Sequence, residues 1–111
     1  MKLSENQIIF TLNISDLVFF ANSLGFGLTY GEAYRTMYQQ KEYLRTGKSK
    51  TLNSNHLKRL AVDFNFFIDG ALTYDKKELQ VLGDYWEKLH PKNRWGGNWK
   101  FKDTPHFEMN I

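Results

Sequence analysis

The spacing of apolar residues along the chain predicts helices in its first half. Apolar side chains recur at helical spacing over residues 14–24, where Ser15 or Asp16 can cap the start and Gly25 can end the helix. A second helix is expected over residues 35–46, which are rich in good helix formers. Both segments are amphipathic, so each is expected to pack one face against a core.

A third helix is predicted over residues 75–90. Asp75 is the candidate N-cap, Glu78 stands in the capping-box position, and Pro91 follows the segment. The apolar residues of this segment share one helical face: Leu79, Leu82, Trp86 and Leu89.

Alternating and β-branched segments between these helices predict strands. A short strand is expected over residues 26–34, a central strand over 60–68 before an Asp69-Gly70 turn, and another short strand over 106–109. Strands separated by helices in a chain of this length predict an α+β fold, with a small antiparallel sheet and about three helices.

The central strand carries a charged residue that its composition does not explain. By alternation, Asp63 and Asn65 lie on one face of the strand, and Val62 and Phe64 lie on the other. An aspartate among apolar residues is costly unless it faces solvent, is paired or binds a metal. For Asp63 taken alone, a solvent-facing position on a half-buried strand is a sufficient explanation.

Composition limits the chemistry that the chain can perform. With 111 residues, 41% of them hydrophobic and 16% aromatic, residues 1–111 are expected to form one folded domain. The absence of cysteine excludes disulfides, iron–sulfur clusters, thiol nucleophiles and zinc sites that need a thiolate. Any metal must therefore bind to histidines and carboxylates.

The charge balance favours anionic partners without choosing among them. Fifteen Lys and Arg against twelve Asp and Glu give a formal charge of +3, which suits nucleic acid, anionic lipid or an anionic cell-wall polymer. The basic residues form no stripe, which argues against nucleic acid. No signal peptide or membrane span is recognised, so synthesis in the cytoplasm and no membrane insertion are expected.

Two histidines and two aspartates form the best candidate for a reactive site. His56, Asp63 and His106 are a ligand set of the kind that binds catalytic Zn²⁺ with one position open to water. Asp103 precedes His106 by three residues and could act on that water as a general base. Structural roles for the histidines remain open, and His90 at a helix end needs no other role.

Separate motifs in the right order carry a family resemblance. Ser54-x-His56 followed by Ala61-x-Asp63 resembles the SxHxxGxAxD motif of the VanY-like zinc D,D- and D,L-peptidases. Asp103-x-Pro105-His106 resembles their second motif. The segments around Arg35, Gly47-Lys48-Ser49 and Trp95-Gly96-Gly97 are similar to the compact bacteriophage endolysin branch, whose members are L-alanyl-D-glutamate endopeptidases.

The resemblance implies a hedgehog-like zinc fold and roles for individual residues. His56, Asp63 and His106 would bind Zn²⁺, Asp103 would be the general base and acid, and Arg35 would stabilise the substrate carbonyl. Four further residues are expected to support the site or contact substrate: Gln40, Ser54, Trp95 and Trp99. Packing in the core is an equal alternative for the two tryptophans.

One position departs from the motif, because Arg59 stands where the family has glycine. We expect a changed loop conformation there, an extra basic contact, and intact metal binding.

The function that the resemblance implies is hydrolysis of the peptidoglycan stem peptide, most simply at L-alanyl-D-glutamate, by a monomer that reaches the wall after release from the cytoplasm. D-Alanyl-D-alanine carboxypeptidase activity is the alternative within the same chemistry. A zinc-containing binding domain is an alternative from another class, although Asp103 argues against it. The spacing of His56 and Asp63 does not fit a two-His, one-carboxylate iron oxygenase.

Overall fold

The computed structural model describes residues 1–111 and contains three α-helices and a five-stranded sheet. The elements in chain order are α1 (Leu3–Ser23), β1 (Phe26–Tyr30), α2 (Met37–Thr46), a 3₁₀ helix (Asn55–Lys58), β2 (Ala61–Ile68), β3 (Ala71–Thr73), α3 (Lys76–Leu89), β4 (Asn93–Trp95), a second 3₁₀ helix (Gly96–Asn98) and β5 (His106–Met109). The predicted α+β fold with a small antiparallel sheet and three helices is confirmed.

Strand β2 is the centre of the sheet. Its second half pairs antiparallel with β1, and its first three residues pair with β5, which in turn pairs with β4. The predicted turn at Asp69 and Gly70 returns the chain as β3, which pairs with the end of β2. This topology places His106 directly opposite Asp63, although the two residues are far apart in sequence.

The two faces of the sheet differ as the alternation predicts. Val62, Phe64 and Phe66 are buried, whereas Asp63 and Asn65 on the opposite face are partly exposed. Helices α1 and α3 cover the apolar face. The core cluster also includes these completely buried side chains: Leu17, Leu60, Leu79, Leu82, Trp86, Trp95, Phe107 and Met109.

Helix α1 begins at Leu3, much earlier than predicted, so Ser15 and Asp16 lie inside the helix and do not cap it. Two effects hide its first half in the sequence. No side chain caps its start, and Asn6 and Asn13 take buried positions where apolar residues are expected. Three large apolar side chains lie on the exposed side: Ile8, Leu12 and Phe19.

Helix α2 begins at Met37, two residues later than predicted, which frees Arg35 from the helix. Thr36 is the N-cap, and a capping box with Gln39 satisfies the first turn. Gly47 ends the helix in the left-handed conformation, as expected (φ 82°).

Helix α3 matches its prediction closely. The Asp75 side chain accepts a hydrogen bond from the Lys77 backbone, so the predicted N-cap is confirmed. Glu78 instead accepts from the Thr73 hydroxyl at 2.7 Å, so the predicted capping box is wrong.

The short strands were harder to predict. Strand β1 ends at Tyr30, before the predicted residue 34, and neither β3 nor β4 was predicted. None of the three helices combines the length and apolar character that crossing a membrane requires.

Candidate metal centre and active site

The three predicted ligands converge on one point at the polar face of the sheet. One potential ligand atom from each of His56, Asp63 and His106 lies within 4.8 Å of the others. Both histidines are buried, and the aspartate is partly exposed. Two imidazole nitrogens and one carboxylate oxygen are a donor set that suits Zn²⁺ and leaves a position open. The residues present therefore fit a single bound zinc ion.

Different elements position the three side chains. His56 lies on the first 3₁₀ helix, where the Ser54 hydroxyl caps the helix by accepting from the His56 backbone N–H at 3.2 Å. Asp63 and His106 lie opposite each other in β2 and β5, so their side chains share one face of the sheet. The pleat of two paired strands thus fixes two of the three ligands.

Each histidine uses one ring nitrogen for orientation and directs the other toward Asp63. His56 Nδ1 contacts the Ala33 carbonyl oxygen at 2.9 Å, and its Nε2 is 3.5 Å from Asp63 Oδ2. His106 Nε2 contacts Glu108 Oε1 at 2.7 Å, and its Nδ1 is 3.1 Å from Asp63 Oδ1. Such outer contacts fix the ring orientation and the tautomer of metal-binding histidines.

Hydrogen bonds within the cluster shift the pKa values of Asp63 and His106 in the direction opposite to the effect of burial. Burial alone would raise the pKa of Asp63, but hydrogen bonds from His106 and His56 hold it well below its ordinary value. Burial alone would lower the pKa of His106, but its hydrogen bonds to Asp63 and Glu108 raise it to about 9. These shifts favour a protonated His106 beside an ionised Asp63 in the metal-free cluster.

Asp103 lies beside this cluster because Gly96 allows the chain to come close. A side chain at Gly96 would collide with the Asp103 carbonyl oxygen and would lie 3.1 Å from His106 Cβ. Asp103 N–H donates to the Gly96 carbonyl at 2.9 Å, and His106 N–H donates to the Asp103 carbonyl at 3.1 Å. Desolvation raises the pKa of the Asp103 carboxyl, as does the nearby Asp63 carboxylate, while His106 acts in the opposite direction.

Arg35, whose backbone N–H donates to the His56 carbonyl oxygen at 3.2 Å, is held by a side-chain network. Its Nε donates to Glu32 Oε1 at 2.5 Å, and its Nη2 pairs with the same carboxylate. Its Nη1 donates to Gln40 Oε1 at 2.8 Å and to Ser54 Oγ at 3.2 Å. A guanidinium has five N–H donors. These contacts use four of them and leave one N–H on Nη2 without a partner.

An open cleft of about 520 Å³ runs past Asp63 and Asp103. Ten residues line it: Gly31, Glu32, Asp63, Phe64, Asn65, Tyr74, Lys102, Asp103, Thr104 and Pro105. Asp63, one of the three candidate ligands, and Asp103 thus line the same open space.

Comparison of the sequence with known families identifies this arrangement. The profile of the M15 peptidase family described as D-alanyl-D-alanine carboxypeptidase matches residues 47–109, more than half of the chain. The matched region contains His56, Asp63, Asp103 and His106. The chain belongs to the M15 peptidases.

A solved structure supports the same assignment for this M15 peptidase. The fold resembles the crystal structure of the Serratia marcescens L-Ala D-Glu endopeptidase ChiX, with a TM-score of 0.72 and 26% sequence identity. The alignment covers 99% of this chain and 87% of that chain. The search of curated proteins gave no match. The predicted resemblance to VanY-like peptidases is confirmed.

The predicted substrate-contacting residues of this peptidase divide into buried and accessible ones. Trp95 is completely buried, and side chains added at Gly83 or Gly97 would collide with its ring, so the predicted substrate contact is wrong for Trp95. Gln40 is also completely buried and positions Arg35 without being open to substrate. Trp99 is half-buried, and its ring centroid lies 5.0 Å from that of His106.

Ser54 joins the two sides of the site, because its hydroxyl accepts hydrogen bonds from both the His56 backbone and Arg35. It therefore supports the site from within the network, in agreement with a supporting role.

Two residues of this peptidase's site were not predicted. Glu108 orients His106, and its other carboxylate oxygen accepts from Asn55 at 2.9 Å. Glu32 anchors Arg35 and accepts from the Tyr43 hydroxyl at 3.0 Å. The available signal was the i+2 spacing of Glu108 from His106, which places both side chains on one face of a strand.

Arg59 takes the left-handed conformation that a glycine adopts without strain, with φ 55° and ψ 37°. The expected change of loop conformation therefore finds no support. The extra basic contact is internal, because the guanidinium lies 4.1 Å above the Tyr34 ring.

Proposed function

We propose that this M15 peptidase is a zinc-dependent endopeptidase that cleaves the L-alanyl-D-glutamate bond of the peptidoglycan stem peptide. One observation carries the proposal: His56, Asp63 and His106 converge, and Asp63 lines the same cleft as Asp103, with Arg35 held nearby. The endopeptidase activity in the name of the similar Serratia marcescens protein favours this bond.

Zinc would be held by His56 Nε2, an Asp63 carboxylate oxygen and His106 Nδ1, the atoms that face one another in the structure. Bound there, the ion would polarise a carbonyl and lower the pKa of a coordinated water toward about 7. A binding domain without activity would need no carboxylate beside the open position, so Asp103 favours catalysis.

Asp103 supplies the proton transfers. As a carboxylate it takes a proton from the attacking water, and as an acid it gives the proton to the departing amine. The raised pKa of Asp103 suits this double role, because the group can hold the proton between the two steps. The remaining Nη2 proton of Arg35 would donate to the developing oxyanion.

The family description also favours a second activity, D-alanyl-D-alanine carboxypeptidase. This reaction would use the same residues on a substrate in which the residue that leaves is the last one and carries a free carboxylate.

We further propose that one domain, residues 1–111, acts as a monomer on the anionic wall after release from the cytoplasm, as phage endolysins do. The formal charge of +3 supports residence on such a wall.

Digestion of purified peptidoglycan by the zinc-loaded protein, with and without chelator, tests the function. New amino-terminal D-glutamate detected by mass spectrometry, and lost with chelator, is expected. Release of free D-alanine would instead establish the carboxypeptidase, and no cleavage by a zinc-loaded protein would favour a binding domain.

Two variants make this test specific. Asp103→Asn should retain zinc and lose about 10²–10⁴-fold in turnover, whereas Asp63→Ala should lose both. Near-full activity of Asp103→Asn would contradict the mechanism.

A further inference from the structure

The cleft has a wall that the proposed mechanism does not use. Asn65, Tyr74 and Lys102 line this wall, on the same cleft as Asp63 and Asp103. Lys102 is the only basic residue among the ten that line the cleft, and its ammonium forms no salt bridge or side-chain hydrogen bond. A free cation is therefore available beside the residue that protonates the leaving amine.

The wall is held in place by its own hydrogen bonds. The Tyr74 hydroxyl donates to Asn65 Oδ1 at 2.5 Å, and Asn65 Nδ2 donates to the Thr29 hydroxyl at 3.2 Å. The Thr104 hydroxyl donates to the Tyr74 carbonyl oxygen at 2.7 Å, which ties the segment that carries Lys102 to Tyr74. Lys102 thus projects from an anchored segment, although the lysine itself is exposed.

The charges along the cleft favour a role for its one lining cation in binding an acidic substrate. Three carboxylates line the cleft, from Glu32, Asp63 and Asp103. Glu32 is neutralised by Arg35, and Asp63 is paired with the histidines. Asp103 forms no salt bridge, so the Lys102 ammonium is the charge among the lining residues that could offset Asp103 beside a substrate carboxylate.

The substrate of the proposed reaction carries such a carboxylate. In the stem peptide, D-glutamate is joined to the next residue through its γ-carboxyl, so its α-carboxyl is free or amidated. That carboxyl is one carbon away from the nitrogen that leaves. Terminal D-alanine has the same arrangement, so the two bonds considered above share this chemistry.

We propose that Lys102 determines specificity by binding the free α-carboxylate of the residue that supplies the leaving amine. This assignment rests on the proposed function, and Asn65 and Tyr74 form the wall against which that residue lies. Amidation of the carboxylate would remove the ion pair and leave the scissile bond unchanged.

Two synthetic stem peptides that differ only in D-glutamate or D-isoglutamine test the assignment. The wild-type protein should prefer the carboxylate by about tenfold in kcat/KM, as a charged hydrogen bond at a partly exposed site predicts. Lys102→Met should remove the preference by raising KM for the carboxylate peptide alone. Lys102→Arg should retain most of it.

Lys100→Met is the matched control, because Lys100 is an exposed neighbour that does not line the cleft. It should retain the full preference, and all three variants should bind zinc as the wild type does. If Lys102→Met keeps the wild-type preference, or if the wild type cleaves both peptides equally, the assignment is wrong while the proposed function stands. If the wild type cleaves neither peptide, the proposed function fails, and this assignment fails with it.

Discussion

The strand half and the helical half of the metal centre are positioned by different kinds of contact. In the strand half, Asp63 and His106 face each other across β2 and β5, and the Glu108 carboxylate holds the far ring nitrogen of His106. In the helical half, His56 lies on a short 3₁₀ helix, and the carbonyl oxygen of Ala33 holds its far ring nitrogen.

The difference shows which residues can be changed without losing the metal. The backbone group that orients His56 is present whatever the side chain at Ala33, so no substitution there removes it. The side chain that orients His106 is a single carboxylate that one substitution removes. The polar side chains Ser54 and Gln40 hold Arg35, and Ser54 contacts His56 only through its backbone N–H. We therefore expect the strand half to govern metal affinity and the helical half to govern substrate chemistry.

Among changes that test the two halves, the largest effect should come from Glu108→Gln, which weakens the outer contact to His106. Zinc affinity should fall by about 10–100-fold, as for other substitutions of residues that orient a ligand. Competition with a chromogenic chelator measures it. Ser54→Ala is the comparison from the helical half: it removes the cap on the His56 backbone but keeps the contact of the His56 ring with the Ala33 carbonyl, so zinc affinity should fall less while kcat falls. Equal losses of zinc affinity in the two variants would remove the distinction between the halves.

An intermediate effect should appear in the response to pH: the stability of the metal-free protein and the stability that zinc adds should change in opposite directions. The pKa of His106 rises from 6.5 to about 9 on folding. Its stabilising contribution is therefore complete below pH 6.5 and is lost as the pH rises through 9. The melting temperature of the metal-free protein should fall over this interval. The added stability from zinc should grow, because His106 must lose its proton to bind the ion.

Differential scanning calorimetry across this pH range tests both trends. Glu108→Gln should reduce the slope of the metal-free protein, because Glu108 helps to raise the pKa of His106. A metal-free melting temperature that rises between pH 6.5 and 9 would contradict the assignment of the proton to His106.

The smallest effect should come from Arg59→Gly in the helical half. Glycine relieves about 1 kcal/mol of strain at a left-handed position, and loss of the contact with Tyr34 costs about the same. The free energy of unfolding should change by less than about 1 kcal/mol, measured by urea denaturation. Arg59→Ala keeps the strain and loses the contact, so it should be clearly less stable than Arg59→Gly.

The sequence predicts the strand half of the site better than its surroundings. Alternation in β2 placed Asp63 on the polar face, and the structure shows it there, opposite His106. Capping signals placed α3 to within a residue or two. These features depend on local periodicity and on the chemistry of single residues.

What the sequence did not predict depends on contacts between distant segments. Strand β4 has only three residues, and it forms because it pairs with β5. The start of α1 has no capping side chain. The sequence left core packing and substrate contact as alternatives for Trp95, because its burial depends on Gly83 in α3. The roles of Glu32 and Glu108 can be recognised only from their contacts with Arg35 and His106 in the structure.

The pairing of Asp63 with His106 also limits how the length of this chain can vary. Inserting or deleting one residue in β5 would turn the following side chains to the opposite face of the sheet. Glu108 would then enter the apolar core, and Phe107 would enter the site. One such event would damage both the fold and the metal centre. Insertions and deletions should therefore be tolerated only outside the paired strands.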